Sequence, residues 1–256
     1  MKHIGFIGAS GLMGHGIAKN LLAKGFQVSL TVNSRREPLQ DLLAAGAKLV
    51  DRHADLSACD AVIICVTGSP QVEAALEGPT GLLSQARAGL YVIDASTSEP
   101  ESTRRLAARC QAVGMTLVDA PLARTPVEAE AGKLNTMVGA SPEVFARLEP
   151  VFKAYCENIF HVGELGAAHV IKLLNNFIAQ AICTATAEAF AVGQRAGRVH
   201  VGLRQHGLQL VFAIWSKQND VIANVRLSAP KSAANPLRNY GRRNLLHINI
   251  AVAGAC

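Results

Sequence analysis

Three groups of residues in this 256-residue chain have types and spacings that could do chemistry. The first is Gly8-Ala9-Ser10-Gly11-Leu12-Met13-Gly14, set between an apolar run (Ile4, Phe6, Ile7) and an amphipathic helical pattern. In that pattern Leu12, Ile17, Leu21 and Leu22 are apolar, while Lys19, Asn20 and Lys24 are polar. A strand, a glycine turn and a helix in this order open a dinucleotide-binding βαβ unit. Gly8 lets the strand turn sharply, Gly11 keeps side chains off a pyrophosphate, and Gly14 lets the helix pack close to the strand. The helix N-terminus offers free N–H groups and a partial positive charge to the phosphates. The spacing Gly-x-x-Gly-x-x-Gly is one residue longer than the usual Gly-x-Gly-x-x-Gly. Glycines alone mark any turn, so it is the flanks that make this one a cofactor cradle.

The second group ends the next strand pattern, Gln27–Val32, with Asn33-Ser34-Arg35-Arg36. An acid at this point would hold the 2′-OH of NAD; residues 31–36 contain none and offer two arginines. That composition suits the 2′-phosphate of NADP, the alternative being two solvated surface arginines. The third group is Lys172 and Asn176, four residues apart and so on one face of a helix. A lone helical lysine is usually solvated. One flanked by Ile171, Leu173 and Leu174 is a candidate for a partly buried catalytic amine.

These groups need elements to position them. Glu37–Ala45 reads as a helix and Lys48–Val50 as a short strand. Ala61–Val66 is a continuous apolar run, the mark of a parallel strand buried on both faces. Ligands in such sheets lie outside the carboxyl ends of the strands, which makes Val66 and Thr67 cofactor neighbours. A helix near Val72–Leu76, a strand at Leu90–Asp94 and then Ser96-Thr97 follow. Ser96 and Thr97 either cap the helix starting near Glu101 or face a ligand. Met115–Asp119, Leu134–Gly139 and Asn158–Val162 read as strands, Pro142–Ala154 as a helix, and 163–196 as one long helical stretch. The predicted architecture is α/β: a doubly wound, mostly parallel sheet (1–163), then a long helix and an incomplete all-α domain (164–256).

Half of the residues are apolar, ample for a core. Six cysteines without C-x-x-C or zinc spacing read as reduced thiols in a cytoplasmic protein, with no metal expected. The longest uncharged helical run, Leu173–Ala187, is short and polar for a bilayer, so no membrane partner is expected. The net charge of +6 is uneven: Asp220 is the single acid after residue 193. Such asymmetry can mark a nucleic-acid arm, although no binding motif accompanies it.

Taken together, GFIGASGLMGHGIAKNL, the Asn33/Arg35 strand end, DASTSEP (94–100), DAPLARTP (119–126), GKLNTMVG (132–139) and GELGAAHVIKLLNN (163–176) resemble the β-hydroxyacid dehydrogenases, the family of 3-hydroxyisobutyrate dehydrogenase and tartronate semialdehyde reductase. The motifs keep family order over about residues 1–197. The resemblance implies an NAD(P)-dependent oxidoreductase that interconverts a small 3-hydroxy acid and its semialdehyde. It places Thr97 by the nicotinamide, Ser96 by the substrate carboxylate, Lys172 as proton donor or acceptor and Asn176 as a substrate-orienting group. Imine reductases share the fold, but Lys172 argues for hydroxyl chemistry. Ala123-Arg124-Thr125 replaces the family's usual Ser-Gly-Gly and is similar to the Gly-Arg-Thr of sulfolactaldehyde reductases. This makes Arg124 and Thr125 substrate-binding candidates, with the guanidinium gripping a second anionic group.

The family pattern stops near Gly197. Residues 198–256 hold eight Lys/Arg and one acid, with apolar blocks at Leu208–Trp215 and Leu245–Ala253 rather than helical spacing. Surface helices normally mix both charges. The expectation is a changed reading frame, with a non-catalytic NADP-binding protein whose basic tail contacts nucleic acid as the rival. The family's homodimer or tetramer would lose its helical interface, the long helix would expose an apolar face, and activity would be impaired.

Overall fold

The computed structural model describes residues 1–32 and 36–195. Six strands form the parallel layer: β1 (His3–Ile7), β2 (Gln27–Thr31), β3 (Lys48–Val50), β4 (Ala61–Ile64), β5 (Tyr91–Asp94) and β6 (Thr116–Asp119), in the order β3-β2-β1-β4-β5-β6. β7 (Leu122–Ala123) and β8 (Leu134–Gly139) continue the sheet antiparallel, and β9 (Cys156–Gly163) runs parallel to β8. All four residues of β4 are buried because helices cover both faces. Side chains alternate between two cores. Ile63 joins Phe6, Ile17 and Leu30 on one face; Val62 and Ile64 join Ile7, Leu76 and Leu106 on the other.

The helices are α1 (Leu12–Ala23), α2 (Gln40–Ala44), α3 (Ser69–Glu77), α4 (Pro100–Ala112), α5 (Pro126–Glu130), α6 (Pro142–Phe152) and α7 (Ala167–Arg195). Proline occupies the first or second position of α3 to α6, where its fixed φ suits the helix and its missing N–H is not needed. α1 lies directly on α5. A Cβ on Gly16 would fall 2.4 Å from the carbonyl carbon of Ala129, so only glycine fits between the two backbones.

Several elements differ from the sequence reading. The helix expected over 37–45 splits into a 3-10 turn (Glu37–Leu39) and the short α2. The last strand is eight residues long because it pairs along the whole of β8. α7 starts after Gly166, whose φ of +88° belongs to the turn before the helix. Leu12 is 79% exposed rather than part of the apolar face that Ile17 and Leu21 bury. Ser96 and Thr97 do not cap α4, whose N-cap is Glu99 without a side-chain bond.

The membrane reading also changes. Ala167–Gly193 is long and apolar enough, by length and composition, to cross a bilayer, because the apolar stretch tolerates Lys172 and Glu188. It is a 27-residue span rather than the shorter uncharged run. Its N-terminal turn is embedded in the protein, with Ala168 and His169 fully buried. Farther along, Leu174, Phe177 and Ile178 are exposed, the apolar face anticipated for this helix. The basic segment 198–256, Asn33, Ser34 and Arg35 lie outside the described residues, so the expectations placed on them do too.

Candidate active site

A crevice of about 690 Å³ opens between the carboxyl ends of β1, β2 and β4, where the chain order reverses about β1. Ile7, Thr31 and Cys65 mark the three strand ends. Gly8, Ser10, Gly11, Leu12, Met13, Gly14, Val66 and Thr67 all line it, as expected for cofactor neighbours. Ala9, the remaining member of the turn, is fully buried beneath.

Two of the three glycines are required by the backbone itself. Gly8 has φ +96°, and a Cβ there would stand 2.1 Å from the Cys65 carbonyl oxygen. A Cβ on Gly14 would stand 2.2 Å from the Gly8 carbonyl oxygen, so α1 rests directly on the turn. The N-cap of α1 is Gly11; no side chain caps the helix and no acid lies in its first turn. Among the described lining residues none is acidic. Free N–H groups at a mouth without acids are the geometry a phosphate needs. These observations fit a dinucleotide, and they stand on backbone geometry alone. Arg36 is exposed near the end of β2.

Several crevice residues escaped the sequence reading, His53 and Gln71 among them. His53 donates to or accepts from the Thr31 hydroxyl (Nδ1···Oγ1 3.0 Å), and burial lowers its pKa. Gln71 enters from α3. Neither belongs to a motif; Thr31 could have been found as the end of β2.

A second candidate group stands at the start of α7; Lys172, Asn176, Ser96 and Thr97 are not among the residues that line the crevice. Asp119, at the end of β6, accepts the Gly166 N–H on Oδ1 (2.8 Å) and the His169 N–H on Oδ2 (2.9 Å). A carboxylate from another strand thus caps the helix. Asp94, at the end of β5, accepts the Ser96 N–H on Oδ1 (2.9 Å) and the Ser98 hydroxyl on Oδ2 (2.7 Å). The imidazole of His169 is buried between these acids, with Nδ1 2.8 Å from the Thr103 hydroxyl of α4. Asp94 and Asp119 open the strings DASTSEP and DAPLARTP, but the bond from the His169 N–H to Asp119 spans 50 residues and has no local signal.

Lys172 stands three residues beyond His169, on the same helical face. It is half-buried, and burial lowers its pKa from the ordinary lysine value. Asn176, one turn further, is also half-buried. The Ser96 hydroxyl accepts the Val66 N–H at 3.0 Å and lies 3.4 Å from the Ile64 carbonyl oxygen, tying β5 to β4. Thr97 beside it is partly exposed. Arg124, whose φ of +81° is in the left-handed region, donates to the Lys133 carbonyl and to Glu157 (2.5 Å each). Thr125 caps α5 by accepting the Val127 N–H and bonding Glu128. The structure therefore brings the glycine turn and Val66–Thr67 together at one crevice and turns Arg124 and Thr125 toward neighbours of their own.

Residues 3–163 match the NAD binding domain of 6-phosphogluconate dehydrogenase. The chain is 34% identical over 195 residues to 2-(hydroxymethyl)glutarate dehydrogenase of Eubacterium barkeri, covering 76% of this chain and 64% of that protein. It is 34% identical over 204 residues to 2-hydroxy-3-oxopropionate reductase of Escherichia coli, covering 79% and 68%. The solved 3-hydroxyisobutyrate dehydrogenase of Mycobacterium tuberculosis, studied with L-serine, superposes with a TM-score of 0.70 at 28% identity, over 78% of this chain and 67% of that one. An imine reductase of Streptomyces aurantiacus, at 21% identity and a TM-score of 0.70, shares the fold alone. The chain thus spans somewhat under two thirds of the length of the first of these relatives. On the motifs, the sheet order and these likenesses together, the chain belongs to the β-hydroxyacid dehydrogenase family.

Proposed function

We propose that the chain is a cytoplasmic NADP-dependent oxidoreductase that interconverts a small 3-hydroxy acid and its semialdehyde. The observation that carries this reading is the uncapped N-terminus of α1 at the crevice; a lysine on α7 whose amine is partly desolvated supports it. The cradle of Gly8, Gly11 and Gly14 would hold the pyrophosphate on free backbone N–H groups. Arg36, with Arg35 beside it in sequence, supports the phosphorylated cofactor, because no acid stands at this strand end. The bound nicotinamide would supply or accept the hydride.

Lys172 would give a proton to the carbonyl oxygen in reduction and take it back in oxidation. A depressed pKa suits both directions, since a general acid or base works best when its pKa approaches the working pH. The ammonium would also stabilise charge growing on that oxygen. Thr97 would lie by the nicotinamide, and Ser96 and Asn176 would orient the substrate. For Arg124 to hold a second anionic group it would have to leave Glu157, so a sulfonate or carboxylate must outcompete that ion pair.

The test is consumption of NADPH and of NADH by the full chain against short semialdehydes bearing carboxylate or sulfonate ends. Lys172→Ala should lower turnover by about 10²–10⁴-fold and leave NADPH binding nearly unchanged. Retained turnover would make Lys172 structural, and equal or tighter NADH binding would remove the NADP preference.

A further inference from the structure

We infer that His169 is a positioning residue for Lys172: wedged among Thr103, Asp94 and Asp119, it fixes how α7 enters the end of the sheet and so where the amine is held. This rests on the reading of Lys172 as the acid–base group.

The imidazole is fully buried, and its Nε2 has no hydrogen-bond partner. That nitrogen lies 3.8 Å from Asp94 Oδ2, and Nδ1 lies 4.0 Å from Asp119 Oδ2. A buried polar atom without a partner is costly, so such an arrangement persists where surrounding structure holds it. The proton positions follow from the neighbours. The Thr103 hydroxyl has one proton and two acceptors in reach, the Glu99 carbonyl oxygen at 3.1 Å and His169 Nδ1 at 2.8 Å. A bare Nε2 lone pair would meet a carboxylate oxygen, and like partial charges repel strongly in a buried site, so the arrangement that fits has a proton on Nε2 facing Asp94, whichever acceptor the Thr103 hydroxyl serves.

One residue, His169, then links three elements. Its backbone N–H is capped by β6 through Asp119, its Nδ1 is held by α4, and its Nε2 faces the end of β5. The same Asp94 carboxylate holds the Ser96 N–H and the Ser98 hydroxyl. The loop expected to face nicotinamide and substrate and the helix bearing the amine are therefore referenced to one buried point. Three residues after His169 put Lys172 on the same face, less than one turn away.

The experiment reads the amine directly and needs no turnover. The full chain is pulse-labelled with acetic anhydride across a pH series, and acetylation of Lys172 is followed by peptide mass spectrometry. In the wild type its midpoint should fall below that of Nα-acetyl-lysine. His169→Leu should raise the midpoint toward that reference, because a loosened helix admits water to the amine. His169→Gln, which can still bond Thr103, should restore most of the wild-type value. An unmoved midpoint in His169→Leu, or an equal shift in both variants, overturns the positioning role. If His169→Leu does not fold, Asp119→Asn, which keeps only one acceptor oxygen for the two N–H groups, is read in the same way. An inactive wild type with the expected midpoints would refute the oxidoreductase reading and leave this one intact; Lys172-dependent turnover with unmoved midpoints would do the reverse.

Discussion

Two helix N-termini in this molecule meet the same physical demand in opposite ways. Every α-helix begins with N–H groups that lack partners, and with a partial positive charge. At α1 the chain leaves them open: Gly11 is the N-cap, no side chain bonds the end, and no acid occupies the first turn. At α7 the protein fills them itself, with both oxygens of Asp119 on the N–H groups of Gly166 and His169. The open end faces a crevice, and the filled end is buried. An unsatisfied end at the surface of a cleft is free to take a ligand; a satisfied one in the interior is a joint.

The sharpest way to break this contrast is to close the open end. Gly14→Ala would set a Cβ against the Gly8 backbone, where no side chain can rotate away. We expect a stability loss of about 4 kcal/mol or more in urea unfolding, and no measurable NADPH binding by fluorescence titration. Normal binding would move the cradle elsewhere. Opening the filled end comes next. Asp119→Ala strips the acceptor from two N–H groups, at about 1–3 kcal/mol each. A loss below about 1 kcal/mol in urea would show that the start of α7 finds another acceptor.

A gentler change tests the sign of the contrast. Leu12 is exposed at the first position of α1, and Leu12→Asp brings an acid to the open end. It should stabilise the cofactor-free protein by about 0.3–1 kcal/mol and weaken NADPH binding, two effects of opposite sign. Effects of the same sign would mean that phosphate does not sit there.

The smallest effect concerns His15, in the second turn of α1. It bonds Glu130 (2.7 Å) and Asp41 (3.0 Å). Burial pulls its pKa down, but the two carboxylates outweigh burial and the net shift is upward from 6.5. A raised folded-state pKa contributes stability that is fully present below the unfolded value and is lost as pH rises through the folded one. From about pH 6.5 upward, melting temperature should therefore fall less steeply in His15→Gln than in the wild type. Identical slopes would refute the coupling; taking the difference between variants cancels His53, whose lowered pKa acts in the opposite sense.

The open end was legible in the sequence because its determinants are local. Three glycines within seven residues, a strand before and a helix after, fix the turn, and Val66 and Thr67 follow from the apolar run of β4. The filled end was not legible. Asp119 and Gly166 are 47 residues apart, and no periodicity joins a strand-end acid to a helix start. Arg124 reads as a substrate-binding candidate because Ala123-Arg124-Thr125 replaces the family's usual Ser-Gly-Gly; its partner Glu157 lies 33 residues on, in β9, and only the folded sheet brings them together. Lys172 falls between these cases. Its apolar flanks announced partial burial, while the network that sets its position could not be read from them.

The contact at Gly16 has a mechanical consequence. With α1 and α5 touching backbone to backbone, and the Asn20 amide bonded to the carbonyls of Ala129 and Glu130, no soft layer of side chains separates them. Packed interiors transmit displacement rather than absorb it. α1 and α5 therefore move as one rigid unit, joining the glycine turn before α1 to the Arg124–Thr125 turn that leads into α5.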